Sequence, residues 1–184
     1  MNKIVILGIL MSVMACNQNN KTENTKNEQK EIIRGLLKKM YYEDVYMESP
    51  LDNTLIFTKE VITLNKQCDS VTDADAERIA KSDFPTDKPY MREGSLISSL
   101  YEGVTHFYIN DIKTVKEQTI VTVTLSNKHY PSQKQWKEKI IFINQNGLKI
   151  DNIYFDNDLL DTTKPNLKKS LMIFIKQTNE CANL

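Results

Sequence analysis

The chain has 184 residues, 40% hydrophobic and 26% charged, a balance that suits one globular domain with its own core. Basic and acidic side chains number 24 each, so the formal net charge is zero and the basic footprint of a nucleic-acid binder is missing. Five glycines and five prolines are too few for a fibrous or low-complexity chain, and no apolar run after residue 16 approaches the ~20 residues that span a bilayer.

Lys3 supplies a positive start, Ile4 to Val13 an apolar run, and Ala15 a small residue ahead of Cys16. That pattern predicts a secretory signal over 1–15, too short to be a stable membrane span. The tetrad Val13-Met14-Ala15-Cys16 resembles the lipobox of bacterial lipoproteins, with Met14 a less usual choice at its place. The resemblance implies diacylglycerylation of the Cys16 thiol, cleavage before it, and acylation of the new N-terminus. Each buried methylene contributes ~0.8 kcal/mol, so two or three acyl chains would hold the protein firmly on a membrane. The family's inner-membrane retention signal is Asp after the Cys. Asn17 stands there, which favours the outer membrane in a Gram-negative host. From Asn17 to Asn27 no residue is apolar, so 16–27 reads as a disordered tether of at most ~40 Å, and 28–184 as one domain.

Ile33, Leu36, Leu37, Met40 and Tyr41 recur at helical spacing and predict a first helix that ends before Ser49-Pro50. A second helix is expected from Asn53 or Thr54 to about Gln67-Cys68, with Phe57, Val61 and Leu64 inward. A short third is expected over 72–81, capped by Thr72 or Asp73, with Asp75 and Glu77 in its first turn. Residues 82–95 read as a loop over the mouth of a sheet, and 96–101 as a helical turn stopped by Gly103.

Four antiparallel strands follow, over 104–114, 119–126, 135–144 and 148–155, with turns at Lys116-Glu117 and Asn146-Gly147. In the last strand Leu148 and Ile150 are one residue out of step with Ile153 and Phe155. A β-bulge at Asp151-Asn152 would return all four to one face and bend the strand. A closing helix begins near Thr163 or Lys164, with Pro165 in its first turn and Leu167, Leu171, Phe174 and Ile175 inward.

Gly147, Leu148, Ile150, Asp151, Ile153 and Phe155, in a bent meander that follows amphipathic helices, resemble the cystatin-like α+β cone of the nuclear-transport-factor-like families. The likeness is to their SnoaL-like and secreted lipoprotein branches, and it covers residues 28–156. It implies N-terminal helices packed on a bent antiparallel sheet. The helix near 164–177 is an addition.

Enzymes of that superfamily place an Asp, His or Tyr inside the cone. Here His106, Tyr108 and Asn110 alternate with Phe107, Ile109 and Asp111 on the first strand, and either set could face inward. With Tyr154, the first set would make a polar ligand floor. Tyr90, Tyr130 and Trp136, on or beside the loops 82–95 and 127–134, are further candidate binding residues. No placed acid–base pair is evident, no catalytic residue is assigned, and no cofactor or metal is expected: Asp69, Asp73 and Asp75 lack a calcium-loop glycine, and two histidines 23 positions apart suggest no zinc. With Cys16 lipidated, Cys68 and Cys181 remain as a possible disulfide in an oxidising compartment. The expected function is a membrane-anchored, non-catalytic envelope protein that binds a small ligand or an envelope protein. The alternatives are an immunity lipoprotein neutralising a secreted toxin and an isomerase- or dehydratase-like enzyme.

Overall fold

The structure is a computed structural model and describes residues 26–43, 50–92, 95–100, 102–129, 132, 135–156 and 166–181. The expected signal, Cys16 and most of the tether lie outside these residues, as do Tyr130 and Pro165. The chain divides between Leu36 and Leu37 into two units. The described part of the first, 26–36, is helical throughout and belongs to helix α1, which runs over 26–38. All else described here lies in the second.

The architecture is α+β. After α1 come a π-helical turn Lys39–Glu43, a 3-10 turn Pro50–Asp52, and α2 (Lys59–Ala80). Strands β1 (His106–Val115), β2 (Gln118–Ser126), β3 (Trp136–Asn144) and β4 (Leu148–Tyr154) form one antiparallel sheet in sequence order, and α3 (Leu167–Cys181) closes the chain.

The sheet follows its alternation closely. Val121, Val123 and Leu125 of β2, Trp136, Ile140 and Phe142 of β3, and Ile150 and Ile153 of β4 are at most 2% exposed. Each such side chain contributes roughly 1.5–3 kcal/mol through burial. Two left-handed residues, Asn146 (φ 55°) and Gly147 (φ 105°), close the β3–β4 loop, and Lys116 (φ 56°) turns β1 into β2. Asn146 and Gly147 tolerate that region far better than branched side chains do.

The bulge in the last strand is present. Ile141 pairs with Asn152 and Phe142 with Ile150, which leaves Asp151 as the extra residue. Ile150, Ile153 and Phe155 are buried together, while Leu148 is only half-buried. The bulge also turns Asp151 into a clamp. It accepts hydrogen bonds from Thr58 Oγ1 (3.1 Å) and from Lys168 Nζ (2.7 Å), which also reaches Glu60 at 2.7 Å. Burial alone would lower the Lys168 pKa, but the hydrogen bonds to Asp151 and Glu60 outweigh it and raise it. A second bulge leaves Asn110 unpaired in β1.

The helical side departs from expectation. Instead of two helices there is one, of 22 residues, and it starts later, with Thr58 as N-cap. Asn53 caps only a local turn through Leu55 N–H (2.9 Å), and Phe57 lies in an extended bridge with Ile150. Thr72, expected as a cap, sits inside α2, where its hydroxyl is satisfied by donating to the Cys68 carbonyl one turn back (3.0 Å). Nothing between Lys59 and Ala80 is Gly or Pro, so no residue forces a break. The N-cap of α3 is Asn166, whose side-chain oxygen accepts from Lys169 N–H at 3.0 Å. Residues 96–100 form bends, not a helical turn.

Cys68 and Cys181, the possible disulfide pair, are both free thiols in this structure. Cys68 is buried and its thiol contacts the Leu171 carbonyl (3.6 Å), while Cys181 is exposed at the far end of α3. Ten helical residues separate Leu171 from Cys181, ~15 Å along the axis. A bridge needs Cα atoms within roughly 7 Å.

Candidate functional site

The irregular segment 82–92, expected over the mouth of the sheet, makes its observed ties to the helices. It runs beside α2 and α3 and is fastened there. Tyr90 N–H donates to Asp75 Oδ2 (2.8 Å), and Thr72 Oγ1 donates to the Tyr90 carbonyl (3.4 Å). The Tyr90 ring stacks on Phe174 with centroids 5.4 Å apart, and its hydroxyl donates to Gln177 (3.2 Å). Between this segment and the two helices lies a cleft of about 910 Å³. Ile79, Leu171, Phe174 and Phe155 supply apolar wall, and Phe84, Tyr90 and Met91 stand at the rim. Phe84 and Met91 are 69% and 61% exposed, unusual for such side chains on an ordered segment.

Charge at the cleft is largely internal. Asp75 takes Arg78 Nε (3.0 Å) and Nη2 (2.7 Å) as well as Tyr90 N–H. The Tyr90 amide holds its carboxyl below the usual range; burial opposes it, and the Arg78 guanidinium adds smaller lowering effects. Arg92 is bonded to Asn65 and Asp69. Asp87 and Lys88 add two further charges to the lining.

A second polar group lies within the sheet's inner face. Glu138 is 1% exposed. Its Oε1 accepts from Ser99 N–H (2.6 Å), Ser99 Oγ (2.8 Å) and Trp136 Nε1 (3.1 Å), and its Oε2 accepts from Tyr41 O–H (3.3 Å). Among the described residues no lysine, arginine or histidine pairs with it. Burial therefore dominates and pushes its pKa up to about 7, although the donors from Ser99, Trp136 and Tyr41 pull the other way. Burial, with Glu138 beside it, drives the Tyr41 phenol well above its ordinary value. This cluster can hold or release a proton near neutrality, but it does not line the cleft.

The sequence candidates separate accordingly. His106, Tyr108 and Tyr154 share the outer face of the sheet, exposed, while Phe107 turns inward against Tyr41 (5.9 Å) and Tyr42 (5.7 Å). Of the two orientations the sequence left open, β1 adopts the one that turns Phe107 inward, so these residues do not make the polar floor of the other alternative. Trp136, expected near a loop rim, is 2% exposed and serves Glu138. Tyr90 does line the cleft. Glu138 was missed, although its signal was present: Trp136, Glu138, Ile140 and Phe142 share one face by simple alternation, so an acid stood among core residues. Among the described residues no group of three His, Cys, Asp or Glu side chains is placed to hold a metal ion. No protein-family model, curated protein or solved structure matches the chain.

Proposed function

We propose that this is a lipid-anchored envelope protein whose cystatin-like domain binds, without catalysis, a small apolar or amphipathic ligand in the cleft beside α2 and α3. The carrying observation is the cleft itself. Its volume of about 910 Å³ falls in the range of roughly 300–1,000 Å³ typical of small-molecule sites, and large apolar side chains are held open at its rim. The ordered meander β1–β4 with its two bulges supports the cystatin-like reading, and the lipobox tetrad ending at Cys16 supports the anchor. Isomerase or dehydratase chemistry at Glu138 would need a substrate path to a side chain that is 1% exposed, so the non-catalytic reading is preferred.

The test is binding of anilinonaphthalene sulfonate, and its displacement by a medium-chain fatty acid. The double variant Phe84→Ala, Met91→Ala weakens binding about tenfold, since two apolar anchors are lost. It moves Tm by no more than about 2 °C, because exposed positions carry little stability. Unchanged binding removes the cleft from consideration. Separately, Cys16→Ala releases the protein from membranes or blocks its processing; membrane association unchanged in that variant contradicts the anchor.

One observation favours a second reading. Tyr108 and Tyr154, 65% and 44% exposed, share the outer sheet face with Lys137 and Lys139. An immunity lipoprotein would offer such a face to a toxin. That reading expects a toxin gene beside this one and a complex that Tyr108→Ala breaks.

A further inference from the structure

Ser99 connects the buried carboxylate to the cleft. Both its N–H and its hydroxyl donate to Glu138 Oε1, and the same hydroxyl oxygen accepts Asp156 N–H at 2.8 Å. Ser95 and Leu96, at the start of the same irregular segment, line the cleft, and so does Phe155, the neighbour of Asp156. The segment 95–100 has no helix or strand of its own to hold it. Among the described residues, Ser99 carries its hydrogen bonds to Glu138 and Asp156, and Ile97 and Leu100 are buried.

We propose that Glu138 is a proton-operated latch on one wall of the cleft: ionised, it holds Ser99, and with it the 95–100 segment and the Asp156 backbone, in the binding arrangement; protonated, it lets that wall relax. The proposal rests on the cleft reading above. Its physical basis is that three hydrogen bonds converge on Oε1, and bonds to an ionised acceptor are roughly twice as strong as neutral ones. A proton on Oε2, toward Tyr41, weakens all three together.

The surroundings leave Glu138 as the group that switches. The π-turn presents Tyr41, with Tyr42 behind it; burial raises both phenols. Segment 95–100 carries no ionisable side chain, and β2 presents Val123 opposite Glu138. Lys137 and Lys139 alternate to the other face. Asp156, beyond β4, accepts Lys137 N–H (3.0 Å). Both histidines of the chain, His106 and His129, are exposed and line no part of the cleft.

Trp136 is the single tryptophan and its indole N–H is bonded to the latch, so it reports the switch directly. In the wild type its indole proton resonance should titrate with a midpoint near 7 and lose that titration in Glu138→Gln. Anilinonaphthalene sulfonate, whose charge is constant in this window, is titrated from about pH 5.5 to about pH 8.5. Its affinity should rise at least about fivefold across the midpoint, the low end of site-to-site coupling. Glu138→Gln should hold it at the weak level throughout. Ser99→Ala, which removes the hydroxyl that joins Glu138 to the Asp156 backbone and keeps the residue-99 N–H bond to the carboxylate, should leave Trp136 titrating while the pH dependence of affinity shrinks; an undiminished dependence in this variant overturns the route through the hydroxyl. Wild-type affinity that is flat with pH, while Phe84→Ala still weakens it, overturns the coupling and leaves the cleft. Affinity indifferent to Phe84→Ala overturns both. Affinity that follows pH equally in Glu138→Gln assigns the switch elsewhere and overturns the latch.

Discussion

Glu138 and Asp75 are two carboxylates that solvent barely reaches, 1% and 2% exposed. Their chemistry runs in opposite directions. Asp75 lies at the wall of the cleft, where Arg78 and the Tyr90 amide stabilise its charge, and its pKa falls. Glu138 lies within the sheet's inner face, where it meets four neutral donors and, among the described residues, no cation, and its pKa rises. At Asp75 a neutral backbone donor, Tyr90 N–H, outweighs burial before Arg78 adds its smaller share; at Glu138 burial outweighs all of its donors. Exposure therefore does not predict protonation. The balance between hydrogen-bond donors and burial does.

The largest test of that contrast is deletion. Glu138→Ala leaves Ser99 N–H, Ser99 O–H, Trp136 N–H and Tyr41 O–H without their acceptor inside the core. Near pH 5 it should cost about 3–5 kcal/mol in denaturant unfolding. A loss below about 1 kcal/mol would mean that water already serves those donors.

The pH dependence of stability comes next. A carboxyl whose pKa is raised on folding stabilises the fold in its protonated form. That contribution is complete below the unfolded value, 4.5, and is lost as pH rises through about 7. The loss is on the order of 3 kcal/mol between pH 4.5 and pH 8. Glu138→Gln removes this slope, so the variant should match the wild type near pH 5 and exceed it near pH 8. Asp75 has the opposite sign. Its contribution is present above the unfolded value, 3.8, and fades only as pH falls below it. Parallel wild-type and Glu138→Gln curves would show that Glu138 does not titrate in this window.

Asp75→Asn should cost less, about 1 kcal/mol, because the Arg78 side chain it pairs with is 45% exposed and water replaces part of what is lost. Its clearer effect is local. Tyr90 N–H loses a charged acceptor, so amide exchange along 82–92 should speed up while exchange in the sheet stays as it was. Equal acceleration in both places would make Asp75 a global support instead of a loop fastening.

The same contrast explains what could be read from the chain. Sheet alternation is local, so the inward sets Val121, Val123, Leu125 and Ile150, Ile153, Phe155, and even the bulge at Asp151, were legible in the sequence. The orientation of β1 was not, because both of its faces carry large side chains and Tyr41 and Tyr42 decide between them. On the helical side the deciding contacts are distant. Asp75 looked like a first-turn acid. It lies instead toward the end of the single long helix α2, and its role as an acceptor depends on Tyr90, fifteen residues away. Glu138 could be placed on the inner face by alternation, but its acceptor role needs Tyr41, 97 residues distant, and Ser99, 39 distant.

The smallest expected effect involves a third buried acid. Cys68 is 0% exposed, and burial raises its thiol to about 11, with Arg92 pulling only weakly the other way. It thus behaves as Glu138 does, kept neutral by the lack of a counter-charge strong enough to ionise it. Cys181 is exposed at the end of α3. In a Cys16→Ala background, one thiol should react with a disulfide reagent at once and the second only on unfolding, since the thiolate is the reactive form. A reductant should leave Tm unchanged. A Cys68–Cys181 bridge would close a loop of more than a hundred residues and be worth ~4–5 kcal/mol in the chain-entropy model, so its reduction would lower Tm by several degrees. Two thiols that react at equal speed in the native state would show that α2 and α3 do not shield Cys68, and the packing of Cys68 against Leu171, which also forms the cleft wall, would fall with it.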